Sequence, residues 1–119
     1  MKREISYLEC LDIVYVKTSG IYKLNEEAGT LERALNEMKK RQCRKALFDH
    51  RETTVVLDTL TAFGRSKNYD DIGFERSVKI ASVVNDICEN LKFYELSNTN
   101  RGWQVKIFAD YDAAIAWLT

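Results

Sequence analysis

Along the 119 residues, stretches that alternate with period two give way repeatedly to stretches with helical spacing. Residues 4–9 (EISYLE) and 12–18 (DIVYVKT) are rich in β-branched and aromatic types, and the short Cys10-Leu11 connection predicts that they pair as an antiparallel hairpin. From Asn25 the period changes. Leu24, Ala28, Leu31, Leu35 and Met38 form one stripe of an amphipathic helix, with Asn25 as its cap and Glu26 and Glu27 in the first turn. RKALFDH (44–50) reads as a buried central strand. A second helix is predicted from near Thr54, with Val56, Leu60 and Phe63 inward and Gly64 allowing close approach. SVKIASVV (77–84) predicts a strand, and Asp86 or Asn90 opens a third helix with Ile87, Leu91, Tyr94 and Asn98 on one stripe and Gly102 just past its end. WQVKIF (103–108) is the last strand, before a helix capped by Asp110 that buries Tyr111, Ala114, Ile115 and Leu118.

The predicted order is β-β-α-β-α-β-α-β-α. After the hairpin each strand is followed by a helix, so the remaining strands join by right-handed crossovers in a mixed α/β sheet whose antiparallel pair comes first. The length suits a single domain, 1–119, and the chain has no proline, repeat or low-complexity tract to mark a boundary. A hydrophobic share of 45% with 30% charged residues predicts a soluble globular protein, and a formal net charge of +0 gives no global attraction for nucleic acid. Cys10, Cys43 and Cys88 are odd in number and without C-x-x-C spacing, which fits a reducing, cytoplasmic setting better than a disulfide framework or a zinc site. Neither a signal-type apolar segment nor a membrane span is expected.

KALFDHRETTVV (45–56) holds the single histidine, His50, where an apolar run turns polar. Read as the C-terminal end of a strand meeting a helix N-terminus, this segment sits where α/β sheets bind ligands and where free N–H groups favour anions. His50 has the ordinary pKa of a general base, with Asp49 or Glu52 as partner, but adjacent strand residues point apart and no nucleophile or oxyanion signature accompanies them. The plainer alternative is a solvated loop in which Thr53 or Thr54 caps the second helix and Arg51 and Glu52 are surface charges. KKRQCRK (39–45) falls at the C-terminus of the first helix, where cations offset the macrodipole, and it lacks the aromatics that stack on bases. Cys43 within it has no resolving partner nearby in sequence. Arg101 is a candidate for an acidic group on a partner, Trp117 for an interface anchor, and Asp70-Asp71 offer too few ligands for a metal. No cofactor and no metal are expected.

Ser19-Gly20 closing the second strand, LFD ending the third and F-x5-A-x2-WL (Phe108, Ala114, Trp117, Leu118) at the end occur in a particular order. With KFYELSNTNRGWQVKIFADYDAAIAWL (92–118), which echoes an RFYET…NRG tail, this order resembles the STAS domains, the sulfate-transporter and anti-sigma-factor-antagonist family, in its stand-alone SpoIIAA-like branch. The resemblance implies a small mixed sheet with helices mainly on one face. It also implies a regulatory role in which a serine at the start of the second helix, in a D-x-S-G pattern, is phosphorylated to switch partner binding. Aligned on Asp49, that pattern becomes Asp49, His50, Arg51 and Glu52, so Arg51 stands in the place of the serine, and Thr53 and Thr54 are displaced candidates for phosphorylation. The leading expectation is a non-enzymatic cytoplasmic module that recognises a protein through the Asp49–Thr54 loop and the second helix. A pocket for a small anionic ligand, nucleotide or acyl chain between that loop and the first helix is the alternative, and an acid/base enzyme centred on His50 is the third. Homodimerisation is also open.

Overall fold

The structure is a computed structural model that describes residues 2–56, 69–70 and 72–119, with residues 22–28, 55 and 56 described by their backbone alone. The opening hairpin is present: β1 (Lys2–Leu8) pairs antiparallel with β2 (Ile13–Lys23) from Lys2↔Ser19 to Leu8↔Ile13. Helix α1 (Leu24–Arg41) follows, then β3 (Lys45–Val56), β4 (Lys79–Val83), α2 (Glu89–Asn100), β5 (Gln104–Phe108) and α3 (Tyr111–Leu118). The strands lie in the order β1-β2-β3-β4-β5, parallel from β2 onward.

The alternation of the strands divides the apolar side chains between two layers. Val14, Val16, Ala46, Phe48, Ile80, Val105 and Ile107 point to the face covered by Leu31, Ala34, Leu35 and Met38 of α1 and by Leu91 and Tyr94 of α2. Ile13, Leu47, Ala81 and Val83 point the other way, against Ala114 and Leu118 of α3. Two of the three described helices thus share one face, which is the mixed α/β arrangement expected. Each fully buried Leu, Ile or Phe in these layers contributes roughly 1.5–3 kcal/mol relative to exposure, so neither layer is dispensable.

Most ends fall near their predicted places for identifiable reasons. Asp110 caps α3 by accepting the Ala113 N–H at 3.2 Å, and Gly102 takes φ +88°, a region open to glycine, where the chain turns from α2 into β5. Three expectations need correction. Helix α1 starts at Leu24, so Asn25 lies inside it rather than capping it. Helix α2 starts at Glu89 with Cys88 at its N-cap, so neither Asp86 nor Asn90 opens it, and Ile87 packs on the core from just outside. The third correction bears on function: β3 does not end near residue 50 but continues through Val56, with Thr54 paired to Ile21 of β2. Thr53 and Thr54 therefore cap no helix, and Asp49–Thr54 is strand and not loop. The β-branched run Thr53-Thr54-Val55-Val56 suits an extended backbone better than the first turn of a helix. Leu60, Phe63 and Gly64, expected in the second helix, lie outside the described residues.

Candidate functional site: a bulge at the end of β3

Pairing between β2 and β3 slips once, from Lys17↔Asp49 to Ser19↔Glu52, so β3 spends one extra residue at His50-Arg51. Bulges are rare in parallel pairs and re-aim the side chains beside them. Hydrogen bonds on either side record the slip. The Arg44 carbonyl accepts the Lys79 N–H, so even-numbered residues at the start of β3 turn their backbone groups toward β4. Beyond the bulge the Arg51 carbonyl faces that side and accepts the Asn85 side-chain amide.

On the α3 face, Asp49 is buried and fully engaged. The Arg51 Nε donates to Asp49 Oδ1 at 2.9 Å and Nη2 to Oδ2 at 2.7 Å, a two-point charge-assisted clamp. The Arg51 backbone N–H adds a bond to Oδ1 at 3.1 Å, and the Tyr15 hydroxyl donates to Oδ2. Burial opposes ionisation of Asp49, but the donors from Arg51 and Tyr15 outweigh it and hold the carboxyl at about 2. Burial and the bond to Asp49 push Tyr15 up to about 12. The guanidinium of Arg51 lies 4.8 Å from the ring centre of Tyr111 at the start of α3, and Tyr111 meets Tyr15 edge-on. The Arg51 side chain is 46% exposed against 2% for Asp49: the cation reaches solvent while its anion does not. Glu52, also exposed, pairs with Lys17 at 3.3 Å.

On the α1 face, the same bulge brings His50 and Thr53 to either side of Thr18. The Thr18 hydroxyl lies 2.6 Å from His50 Nδ1 and 2.7 Å from the Thr53 hydroxyl; all three residues are buried. His50 also stacks on Phe48. Burial disfavours the imidazolium, and although Asp49 pulls the other way, the pKa of His50 falls to about 4. At neutral pH the ring is uncharged.

The six residues singled out from sequence are contiguous but do not converge. Asp49 and Arg51 belong to one face, His50 and Thr53 to the other, and Glu52 and Thr54 are exposed. Asp49 and His50 thus form no acid/base dyad, because the carboxylate is consumed by Arg51 and Tyr15. Of the two threonines, Thr54 is open to modification and Thr53 is buried within the Thr18 bond. Sequence reasoning missed Tyr15, Thr18, Asn85 and Tyr111. Pairing β2 with β3 brings Tyr15 and Thr18 into range, but only the bulge selects their partners. Thr53 and Thr54 also line a groove of about 300 Å³ with Val84, Asn85, Asp86, Cys88 and Leu91, between the end of β3 and the start of α2. Among the described residues no cluster of three potential metal ligands occurs, and no described helix is long and apolar enough to cross a membrane.

In comparisons with known proteins, no family model and no curated relative matches the chain. Solved structures do match. An uncharacterized protein of the DUF3478 family with a SpoIIAA-like fold, from Shewanella loihica PV-4, superposes with a TM-score of 0.57 at 20% identity, covering 99% of this chain and 93% of that one. The anti-sigma factor antagonist SpoIIAA in its unphosphorylated form aligns with a TM-score of 0.48 at 8% identity over 98% of this chain and 97% of its own. The chain has a SpoIIAA-like fold, as the resemblance in its sequence implied.

Proposed function

We propose that this SpoIIAA-like chain is a non-enzymatic regulatory module that recognises a protein partner through the outer end of β3, where Arg51, Glu52 and Thr54 are presented to solvent. The observation that carries the reading is the clamp on Arg51. Two hydrogen bonds to Asp49 and the Tyr111 ring fix a half-exposed guanidinium on a strand, so little side-chain entropy is lost when it meets a partner. A catalytic reading finds less support, since the His50 ring is buried and its Nδ1 is committed to Thr18. The setting is proposed to be cytoplasmic, in keeping with three free cysteines, one of them buried.

Regulation by phosphorylation falls on exposed Thr54, where added negative charge beside Glu52 and Asp86 makes this surface more acidic and changes which partner charges it complements. Backbone amide shifts recorded while clarified cell extract is added provide the test. Shifts concentrated in residues 51–54, reduced in Arg51→Ala and changed in size in Thr54→Glu, are the expected result. Shifts elsewhere that ignore both substitutions overturn the reading.

The groove favours a second reading, in which it takes a small ligand at the C-terminal ends of parallel strands beside a helix start. It lies between β3 and α2, rather than between β3 and α1 as the sequence suggested. A ligand of this kind raises the melting temperature, with the logarithm of its concentration once that exceeds Kd.

A further inference from the structure

Strand β3 outruns its neighbour. Its ladder with β4 ends at Asp49↔Val83, whereas its ladder with β2 continues to Lys23↔Val56. Beyond the bulge, β3 therefore has β2 on one side and no described strand on the other. The phase of the backbone settles which groups line that edge. The Arg51 carbonyl points to the β4 side, where it meets Asn85, and in an extended strand the N–H and C=O of alternate residues point the same way. Thr53 and Val55 thus turn one N–H and one C=O each toward the groove. Asn85 already does at Arg51 what another strand would do: it donates an amide N–H to the edge.

The groove beside this edge is lined by Val84 and Leu91 together with Asn85, Asp86 and Cys88. Val84 and Leu91 are apolar, and among the described residues that line it the one carboxylate is that of Asp86, with no lysine or arginine among them. Glu89, in the first turn of α2, pairs with Lys92 at 3.6 Å, so the negative charge of the rim rests on Asp86. An occupant that complements it supplies backbone hydrogen bonds to the strand edge, a small apolar side chain for Val84 and Leu91, and positive charge for Asp86. From this we infer that the occupant is an extended segment of a partner protein, carrying a small apolar residue flanked by lysine or arginine, which adds as a strand along Thr53–Val55. The main chain supplies affinity and the groove supplies selectivity, as in other strand-addition interfaces. This inference rests on the protein-recognition reading above and specifies its chemistry.

Random peptides of about 12 residues displayed on phage, selected on the immobilised full chain and resynthesised, test it. Each selected peptide is titrated into the isotope-labelled chain together with two N-methylated forms, methylated at alternate residues in opposite phase. The expected peptides carry Lys or Arg beside a small apolar residue, shift the amides of residues 53–55 and 85–88, and protect the Thr53 and Val55 N–H groups from exchange at least tenfold. One N-methylated phase weakens binding at least tenfold and the other leaves it unchanged. Equal binding by both methylated forms, or shifts that avoid residues 53–55, overturns strand addition. If Arg51→Ala still abolishes the extract-induced shifts in that case, protein recognition at β3 survives and only its mode fails.

Discussion

The two sides of one bulge solve the burial of polar groups in opposite ways. On the α3 side, a buried anion is matched by a cation that reaches solvent, and Tyr15 and the Arg51 N–H fill its remaining acceptor positions. On the α1 side no charge is buried: a neutral imidazole and two hydroxyls satisfy one another around Thr18. The first arrangement presents charge outward and suits recognition. The second hides its groups and fixes the strand from behind. Buried polar groups cost free energy unless paired, so both must be complete for β3 to hold its outer end in place.

Breaking the α3 side carries the largest expected effect. Asp49→Ala strands Arg51 and the Tyr15 hydroxyl, and loss of one member of a buried pair costs about 3–4 kcal/mol, near the low end of the usual range because Arg51 can rehydrate. Chemical denaturation of the variant should show that loss, whereas Asp49→Asn, which keeps one of the two acceptor oxygens and the volume of the side chain, should lose less.

The α1 side is exposed by acid. Native His50 titrates at about 4, whereas the unfolded ring takes its proton near ~6.5. Between those values the unfolded chain binds more protons, so stability falls as pH drops from ~6.5 toward about 4, by about 3 kcal/mol in all, and levels off below. Asp49 contributes in a separate, lower window: its stabilisation is complete above the ordinary carboxylate value and is lost as pH falls toward about 2. Denaturation midpoints measured across pH 7 to 4 should slope in the native chain and flatten in His50→Gln.

Smaller effects sharpen the contrast. Thr53→Val removes one partner of buried Thr18 and should cost about 1–2 kcal/mol. Thr54→Val, one residue on but solvent-exposed, should stay within about 0.5 kcal/mol. A similar loss in both would mean that the two sides of the strand do not differ as described.

The legibility of the chain divides along the same line. Hydrophobic period was enough for β1, the first half of β2, β4, β5 and α3, because alternation in IVYV or KIASV and the Asp110 cap are local signals, whereas β2 runs past Ser19-Gly20 to Lys23. The outer half of β3 was not legible. Thr53 and Thr54 are good helix caps and good strand residues alike, and what decides is pairing with Gly20 and Ile21, more than 30 positions earlier in the chain. Asp49, His50, Arg51 and Glu52 were recognised as a polar cluster from composition alone. Their separation onto two faces was hidden, because a bulge leaves no trace in a pattern of period two, and Tyr15, Thr18 and Tyr111 joined the cluster only through the register it sets.

Because His50 is the single histidine of the chain, one titration measures its environment without assignment ambiguity. Imidazole nitrogen and carbon shifts followed by NMR from pH 8 downward should show a neutral ring that remains uncharged through pH ~5 and takes its proton only near about 4. A midpoint near ~6.5 with the fold intact would place the ring in water, and the division of the bulge into a charged outer side and a neutral buried side would be wrong.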